Sequence, residues 1–135
     1  AELHGLANAL TDVTGFGLIG HALEMARGAG LTVEIEAAAV PTIAGVEALL
    51  RAGVRTGASD RNWASCAEAI DVIGQLETWR RDLLTDPQTS GGLLIAASDD
   101  NIERVMDRAR RTGFTEARVV GRLRSGPPRV CVKED

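Results

Sequence analysis

The residues best suited to chemistry lie in the DVTGFG turn, residues 12–17, immediately before the first strong helical pattern of the chain. Asp12 offers a carboxylate, Thr14 offers a hydroxyl, and two glycines follow. A helix N-terminus presents unpaired N–H groups with partial positive charge, and glycine lets an anion approach that backbone closely. A carboxylate is also a hard oxygen ligand that Mg²⁺ accepts beside nucleotide phosphates. This pattern is compatible with a site for a metal-bound phosphate.

The same turn has a purely structural interpretation. Thr14 or Asp12 could cap the following helix through its side-chain oxygen, with the glycines serving only the turn. One carboxylate does not make a metal site, so the spacing alone favours capping over chemistry.

A second candidate is the DPQTSGG loop, residues 86–92, which leads into an apolar run at 93–95. It is not a P-loop, because no lysine follows the glycines and a strand replaces the helix. Its structural interpretation is a tight loop that needs a positive φ at Gly91 or Gly92. In that case the hydroxyls of Thr89 and Ser90 would bond to nearby backbone.

Hydrophobic periodicity predicts the elements that position these two segments. Apolar residues at helical spacing predict a helix over 17–29, and alternation over 32–36 predicts a strand with one buried face. A short helix is expected to follow Pro41 and to stop at Gly53, with a loop over 55–61. Residues 62–79 follow neither period.

The second half of the chain predicts more strands. The run within 92–97 indicates a strand buried on both faces at the sheet centre, and a helix with Ser98 as N-cap is expected to end near Gly113. Segments 118–123 and 129–132 predict a hairpin. Because helices and strands interleave, we expect one domain over residues 1–135 with an α/β or α+β fold, a mixed β-sheet layered with α-helices.

Composition narrows the functional classes. The chain has 44% apolar and 25% charged residues, which is typical of a globular protein. Its net charge of -4 is scattered, so no basic face for nucleic acid or anionic lipid is expected. Apolar stretches are too short for a membrane span and no signal peptide pattern is present, so we expect a cytoplasmic protein. Cys66 and Cys131 form no C-x-x-C unit and are expected to be reduced and buried.

Two longer motifs carry a family resemblance. Residues 10–21, LTDVTGFGLIGH, and residues 86–95, DPQTSGGLLI, resemble selenophosphate synthetase (selenide, water dikinase), and Arg61-Asn62 matches a segment between them. The resemblance covers nearly the whole chain but only the C-terminal domain of that enzyme. It implies the fold of the C-terminal domain of aminoimidazole ribonucleotide synthetase-like proteins, with the N-terminal ATP-binding half absent from this sequence.

The resemblance also implies an activity. In that family ATP, selenide and water give selenophosphate, phosphate and AMP, with Mg²⁺ held by acids around the phosphates. Asp12 resembles the metal-binding aspartate of the C-terminal domain, and Thr14 and Gly15 lie where they could approach the metal-phosphate cluster. The catalytic Cys or selenocysteine, its lysine and the homodimer contacts belong to the N-terminal half. We therefore expect no catalytic residue here and no activity from this domain alone.

Some alternatives remain open at the level of sequence. The chain could be a non-catalytic binding module of the same fold, or the C-terminal domain of another ATP-dependent enzyme of the superfamily. The resemblance assigns no chemical step to Arg61, Asn62 or residues 89–92.

Overall fold

The computed structural model describes residues 3–134, so residues 1, 2 and 135 of the expected domain lie outside the described part. The structure is a mixed α/β arrangement of two sheets, five α-helices and two short 3-10 helices within that range, which confirms the predicted fold class. The elements are β1 (Ala9–Asp12), α1 (Gly17–Ala29), β2 (Thr32–Glu36), α2 (Val46–Arg51), α3 (Gly57–Cys66), β3 (Ile70–Gly74), α4 (Thr78–Thr85), β4 (Leu93–Ala96), α5 (Asp99–Arg111), β5 (Gly121–Arg124) and β6 (Arg129–Glu134).

The main sheet has four strands in the order β3-β6-β2-β5. Strand β6 runs parallel to both β3 and β2, whereas β5 is antiparallel to β2. Helix α1 packs on this sheet because its apolar residues recur at helical spacing. The principal core residues of α1, β2 and β6 are Ile19, Ala22, Leu23, Ala26, Val33, Ile35, Val130 and Val132.

Strands β1 and β4 form a separate antiparallel pair, with Asp12 opposite Leu93. The prediction that residues 93–95 form the centre of the sheet is wrong. β4 pairs with β1 alone among the described strands, and Leu93 is 55% exposed. A short apolar run therefore does not distinguish a central strand from a strand of a small accessory sheet.

Strand β2 has the predicted bounds, but the prediction of one buried face is wrong. Val33 and Ile35 face the core, and Glu34 on the opposite face is only 5% exposed. Arg122, Arg124 and Lys133 cover the Glu34 carboxylate at 2.7, 2.6 and 2.9 Å. Charged side chains from β5 and β6 thus bury the polar face of the strand.

The predicted terminal hairpin is also wrong. β5 and β6 do not pair with each other, because β2 lies between them. The turn at residues 125–128 crosses the end of β2, where the Thr32 hydroxyl donates a 2.7 Å hydrogen bond to the Pro127 carbonyl oxygen. Residues 125–128 form the predicted turn, but β5 and β6 each pair with β2.

The predicted loop over 55–61 is mostly helix, since α3 begins at Gly57. Its inward stripe starts with Ser59, which is 1% exposed, and continues through Asn62 and Trp63 to Cys66. Because half of this stripe is polar, hydrophobic periodicity does not reveal it. Both cysteines are buried and free, as predicted. Among the described helices none is long and apolar enough to cross a bilayer.

Candidate functional site

Asp12 is the last residue of β1 and the first residue of the DVTGFG turn, and it is exposed. Within residues 3–134 its carboxylate forms no hydrogen bond or ion pair. Acidic side chains at the surface are usually solvated, so the free carboxylate alone is not a site. It is, however, an uncommitted oxygen ligand at the end of a strand.

Neither Asp12 nor Thr14 caps the helix, so the capping interpretation is wrong. The N-cap of α1 is Phe16, and no side chain hydrogen-bonds to this end of the helix within the described residues. The carbonyl oxygen of Thr14 instead accepts the N–H of Gly17 at 3.1 Å. The first turn of α1 consequently keeps N–H groups that a side chain does not satisfy, as an anion site requires.

The Thr14 hydroxyl is bound to a buried histidine. Its Oγ1 lies 3.1 Å from Nε2 of His21, and Nδ1 of His21 lies 2.9 Å from Oε2 of Glu24. The Phe16 ring packs against the imidazole with a centroid distance of 5.5 Å. The apolar pattern of α1 does not by itself assign a role to His21. The helical i, i+3 spacing of His21 and Glu24 was the available signal for this contact.

The DPQTSGG loop lies directly against the DVTGFG turn. The N–H of Val13 donates to the Gly92 carbonyl oxygen at 2.9 Å, and the N–H of Gln88 donates to the Thr14 carbonyl oxygen at 3.0 Å. The two motifs that stand 74 positions apart in sequence, from Asp12 to Asp86, therefore form one continuous surface.

The glycines of the loop serve close approach and not an unusual backbone angle. The prediction of a positive φ at Gly91 or Gly92 is wrong, because neither residue has one. A Cβ at Gly91 would overlap the carbonyl oxygen of Val13, whereas a Cβ at Gly92 would meet no atom within 4 Å. Thr89 and Ser90 are exposed, and their hydroxyls make no hydrogen bond inside the described range, contrary to the expected local bonding.

Asn62 of α3 holds the turn from a third element. Its side-chain amide donates to the carbonyl oxygens of Gly15 and Thr85, at 2.9 Å each. Gly17 touches the same backbone, since φ is +70° there and a Cβ would lie 2.6 Å from the carbonyl carbon of Thr85. The sequence left the role of Asn62 open, and the structure identifies it as the link between the turn and α4. Its neighbour Arg61 is exposed and forms no bond of this kind with residues 3–134.

Two titratable groups near these contacts are protected from solvent. Burial raises the pKa of Asp86, whose carboxylate accepts from the amide of Gln88 at 2.9 Å. Burial likewise raises the pKa of the Cys66 thiol, which donates to the Asn62 carbonyl oxygen at 3.0 Å. A thiol whose pKa is raised by burial is a poor nucleophile.

The residues present fit a shared metal site and not a complete one. No group of three or more histidine, cysteine, aspartate or glutamate side chains among the described residues could hold a metal ion. Asp12 is the carboxylate left uncommitted at the turn. Mg²⁺ uses one or two carboxylates together with water and phosphate oxygens, so a single carboxylate is one of the ligands that such a site needs.

Comparison with known proteins decides the family. The family described as AIR synthase related protein, C-terminal domain, matches residues 1–132. This chain belongs to that family. The match confirms the resemblance inferred from the DVTGFG turn and the DPQTSGG loop.

The chain is similar to curated selenide, water dikinases. The chain is 50% identical over 132 residues to the selenide, water dikinase of Pseudomonas straminea, covering 98% of this chain and 37% of the relative. It is 42% identical over 125 residues to the selenide, water dikinase of Rhizobium meliloti, covering 93% of this chain and 36% of the relative. The chain thus spans little more than a third of the length of these curated relatives.

A solved structure supports the fold of this AIR synthase related domain. Thiamine-monophosphate kinase from Stenotrophomonas maltophilia K279a superimposes with a TM-score of 0.63 at 19% identity. The match covers 96% of this chain and 32% of the kinase chain. At this identity the similarity establishes the shared fold.

Proposed function

We propose that this chain is the C-terminal domain of an ATP-dependent selenophosphate synthetase, in which Asp12 is one ligand of the Mg²⁺ bound to ATP. The observation that carries the proposal is the position of the uncommitted Asp12 carboxylate, beside the N-terminus of α1 that no side chain caps. The 50% identity to a selenide, water dikinase supports the choice of reaction. That reaction converts ATP, selenide and water to selenophosphate, phosphate and AMP.

The residues of this chain would bind and orient the nucleotide. Mg²⁺, when bound, neutralises charge that develops on the transferring phosphoryl group. Asp12 would hold the ion, and Thr14 and Gly15 would line the metal-phosphate cluster. The N–H groups in the first turn of α1, which no side chain of residues 3–134 caps, suit a phosphate oxygen. The Asn62 amide fixes the Gly15 carbonyl and with it the path of the turn.

The remaining parts of the site would come from a partner region of the complete enzyme. One carboxylate and one helix end cannot surround a nucleotide, so the domain alone is expected to be inactive. An N-terminal half would contain the acidic residues that complete the Mg²⁺ shell. It would also contain the nucleophile and the homodimer contacts, as in the selenophosphate synthetase family.

A chimeric enzyme tests the proposal directly. In this chimera the chain replaces the 132 matching residues of the Pseudomonas straminea relative, and AMP formation is measured with and without selenide. We expect selenide-dependent AMP formation from the chimera. Asp12→Asn should reduce it more than about a hundredfold, since even groups that only support a metal ligand are worth 10–100-fold.

The matched control is Asp100→Asn, which neutralises an exposed carboxylate in the first turn of α5. It should retain the activity of the chimera. Full activity in Asp12→Asn would refute the metal role of Asp12. A folded chimera without selenide-dependent AMP formation would refute the assignment of the reaction.

A further inference from the structure

Two contacts link a hydroxyl, an imidazole and a carboxylate at the start of α1. We call Thr14, His21 and Glu24 the Thr14–His21–Glu24 array; its two contacts measure 3.1 and 2.9 Å. The side chain of His21 is 7% exposed, whereas that of Glu24 is 54% exposed. Both ring nitrogens of this buried imidazole therefore have a partner. Nδ1 contacts the Glu24 carboxylate and Nε2 contacts the Thr14 hydroxyl.

The carboxylate determines the tautomer of the ring. An ionised carboxylate only accepts hydrogen bonds, so Nδ1 of His21 must carry the proton that Glu24 accepts. In the neutral imidazole Nε2 is then unprotonated and is an acceptor. With a neutral ring, the Thr14 hydroxyl donates its single proton inward, to Nε2. Its oxygen lone pairs remain for any group on the outer side of the turn.

We infer that His21 is a positioning residue that makes Thr14 an oxygen ligand or water acceptor on the metal side of the proposed Mg²⁺-ATP site. The inference rests on the proposed function. A hydroxyl whose proton is already used cannot donate to a phosphate oxygen, because two acceptors would then face each other. Thr14 therefore joins Asp12, two residues before it, in recognising the cation or its bound water. Phosphate oxygens are left to the backbone N–H groups of α1.

The alternative is that His21 is only a satisfied core residue. Its contact with Phe16 and its burial would serve that role equally well. The two interpretations differ in which ring nitrogen of His21 must carry the proton. Packing in the core requires neither tautomer, whereas positioning of Thr14 requires the proton on Nδ1. They also differ in what they require of Glu24, which is half exposed and contributes little to the core.

The first test examines the tautomer and needs neither nucleotide nor activity. Long-range ¹H–¹⁵N spectra of the chain with ¹⁵N-labelled histidine, recorded at about pH 8, should show His21 protonated at Nδ1 alone. Glu24→Gln offers an amide that can donate as well as accept, and should add the Nε2-protonated form. His21 protonated at Nε2 in the unchanged chain would overturn the inference, whether or not the chain serves a dikinase.

The second test measures the Mg²⁺ requirement in the chimera described above. Thr14→Val, which keeps the shape and removes the hydroxyl, should raise the Mg²⁺ concentration for half-maximal rate about tenfold, and Glu24→Gln should raise it in the same direction. Thr14→Ser should restore the requirement of the chimera. The matched control Glu103→Gln, at an exposed position of α5, should leave it unchanged.

Separate measurements of the KM for ATP and of the Mg²⁺ requirement distinguish a positioning role of Thr14 from a general loss of folding or nucleotide binding. We expect the KM for ATP at saturating Mg²⁺ to stay within about twofold in Thr14→Val, because phosphate recognition stays with the backbone. An unchanged Mg²⁺ requirement in Thr14→Val would overturn the inference even with Asp12 essential. Equal weakening of ATP and Mg²⁺ binding would also overturn it, since Thr14 would then contact phosphate.

Discussion

The side-chain amide of Asn62 lies 2.9 Å from the carbonyl oxygen of Gly15, although the two residues are 47 positions apart. The same amide nitrogen donates to Thr85 at the end of α4. One primary amide thus satisfies two carbonyls and fixes the backbone beside Asp12. A carboxamide has the two N–H donors that this position needs, and an isosteric carboxylate has none.

Asn62→Asp should destabilise the domain by about 2 kcal/mol, because both carbonyls lose their donor and face an acceptor. The free energy of unfolding from urea titration is the measurement. Asn101→Asp in α5 is the matched control, since Arg104 donates to the Asn101 side-chain oxygen and can equally donate to a carboxylate. Equal stability of the two variants would contradict the bridging role of Asn62.

Gly91→Ala should destabilise the chain by about 1–3 kcal/mol, as expected for overpacking. The new methyl group would overlap the Val13 carbonyl oxygen and push the DPQTSGG loop from the DVTGFG turn. Gly92→Ala is the neighbouring control, because its methyl group meets open space and φ is not positive. Thermal unfolding of both variants should rank Gly92→Ala near the unchanged chain. The reverse ranking would show that the two segments are not in contact.

Glu34 should make stability depend on pH in the acid range. Hydrogen bonds from Arg122 and then Lys133 lower its pKa from 4.5 to about 2. A pKa that is depressed in the folded state stabilises above the unfolded value, and this stabilisation is lost as pH falls from about 4.5 towards 2. Glu34→Gln should therefore be less stable than the unchanged chain at pH 7, with a gap that narrows across that interval.

Chemical denaturation at several pH values measures this gap. Glu68→Gln, an exposed glutamate outside the cluster, is the control and should follow the unchanged chain at every pH. A constant gap for Glu34→Gln between pH 7 and about 2 would mean that the basic residues do not hold Glu34 ionised.

The isolated chain should bind Mg-ATP weakly or not at all. Most phosphate contacts are absent when one carboxylate and one helix end face solvent, and the cost of immobilising the ligand is not recovered. Isothermal titration calorimetry at millimolar Mg-ATP should give no saturable heat. Tight, stoichiometric binding would show that the chain holds a self-contained nucleotide site, contrary to the proposed function.

The local sequence pattern predicts the bounds of single helices and strands. The bounds of α1 and β2 follow from helical and alternating apolar spacing, and Gly30 ends the helix with φ +66° as a left-handed C-cap. The strand pairing was not predictable in this way. Segments 118–123 and 129–132 have the composition of a hairpin, but β2 lies between the two strands that they form.

In the candidate site, too, features that are contiguous in sequence were predictable and contacts between distant residues were not. The DVTGFG turn was recognisable because its carboxylate, hydroxyl and glycines are contiguous in sequence. The residue that holds this turn in place was not recognisable. Asn62 contacts Gly15 from α3, and hydrophobic periodicity does not reveal α3 because the inward stripe of that helix is partly polar. The capping interpretation of Thr14 was the reasonable local inference, and the buried imidazole of His21 competes successfully for that hydroxyl.

The strand order also governs when the domain can assemble during synthesis. β6 follows every other strand of its sheet in the described chain, yet it lies between β3 and β2. Until residues 129–134 leave the ribosome, no strand can bridge β2 and β3, and Glu34 lacks the ammonium group of Lys133, which lies 99 positions later. Such long-range pairing slows folding and leaves strand edges open. The nascent chain is thus most vulnerable to aggregation until β6 has emerged.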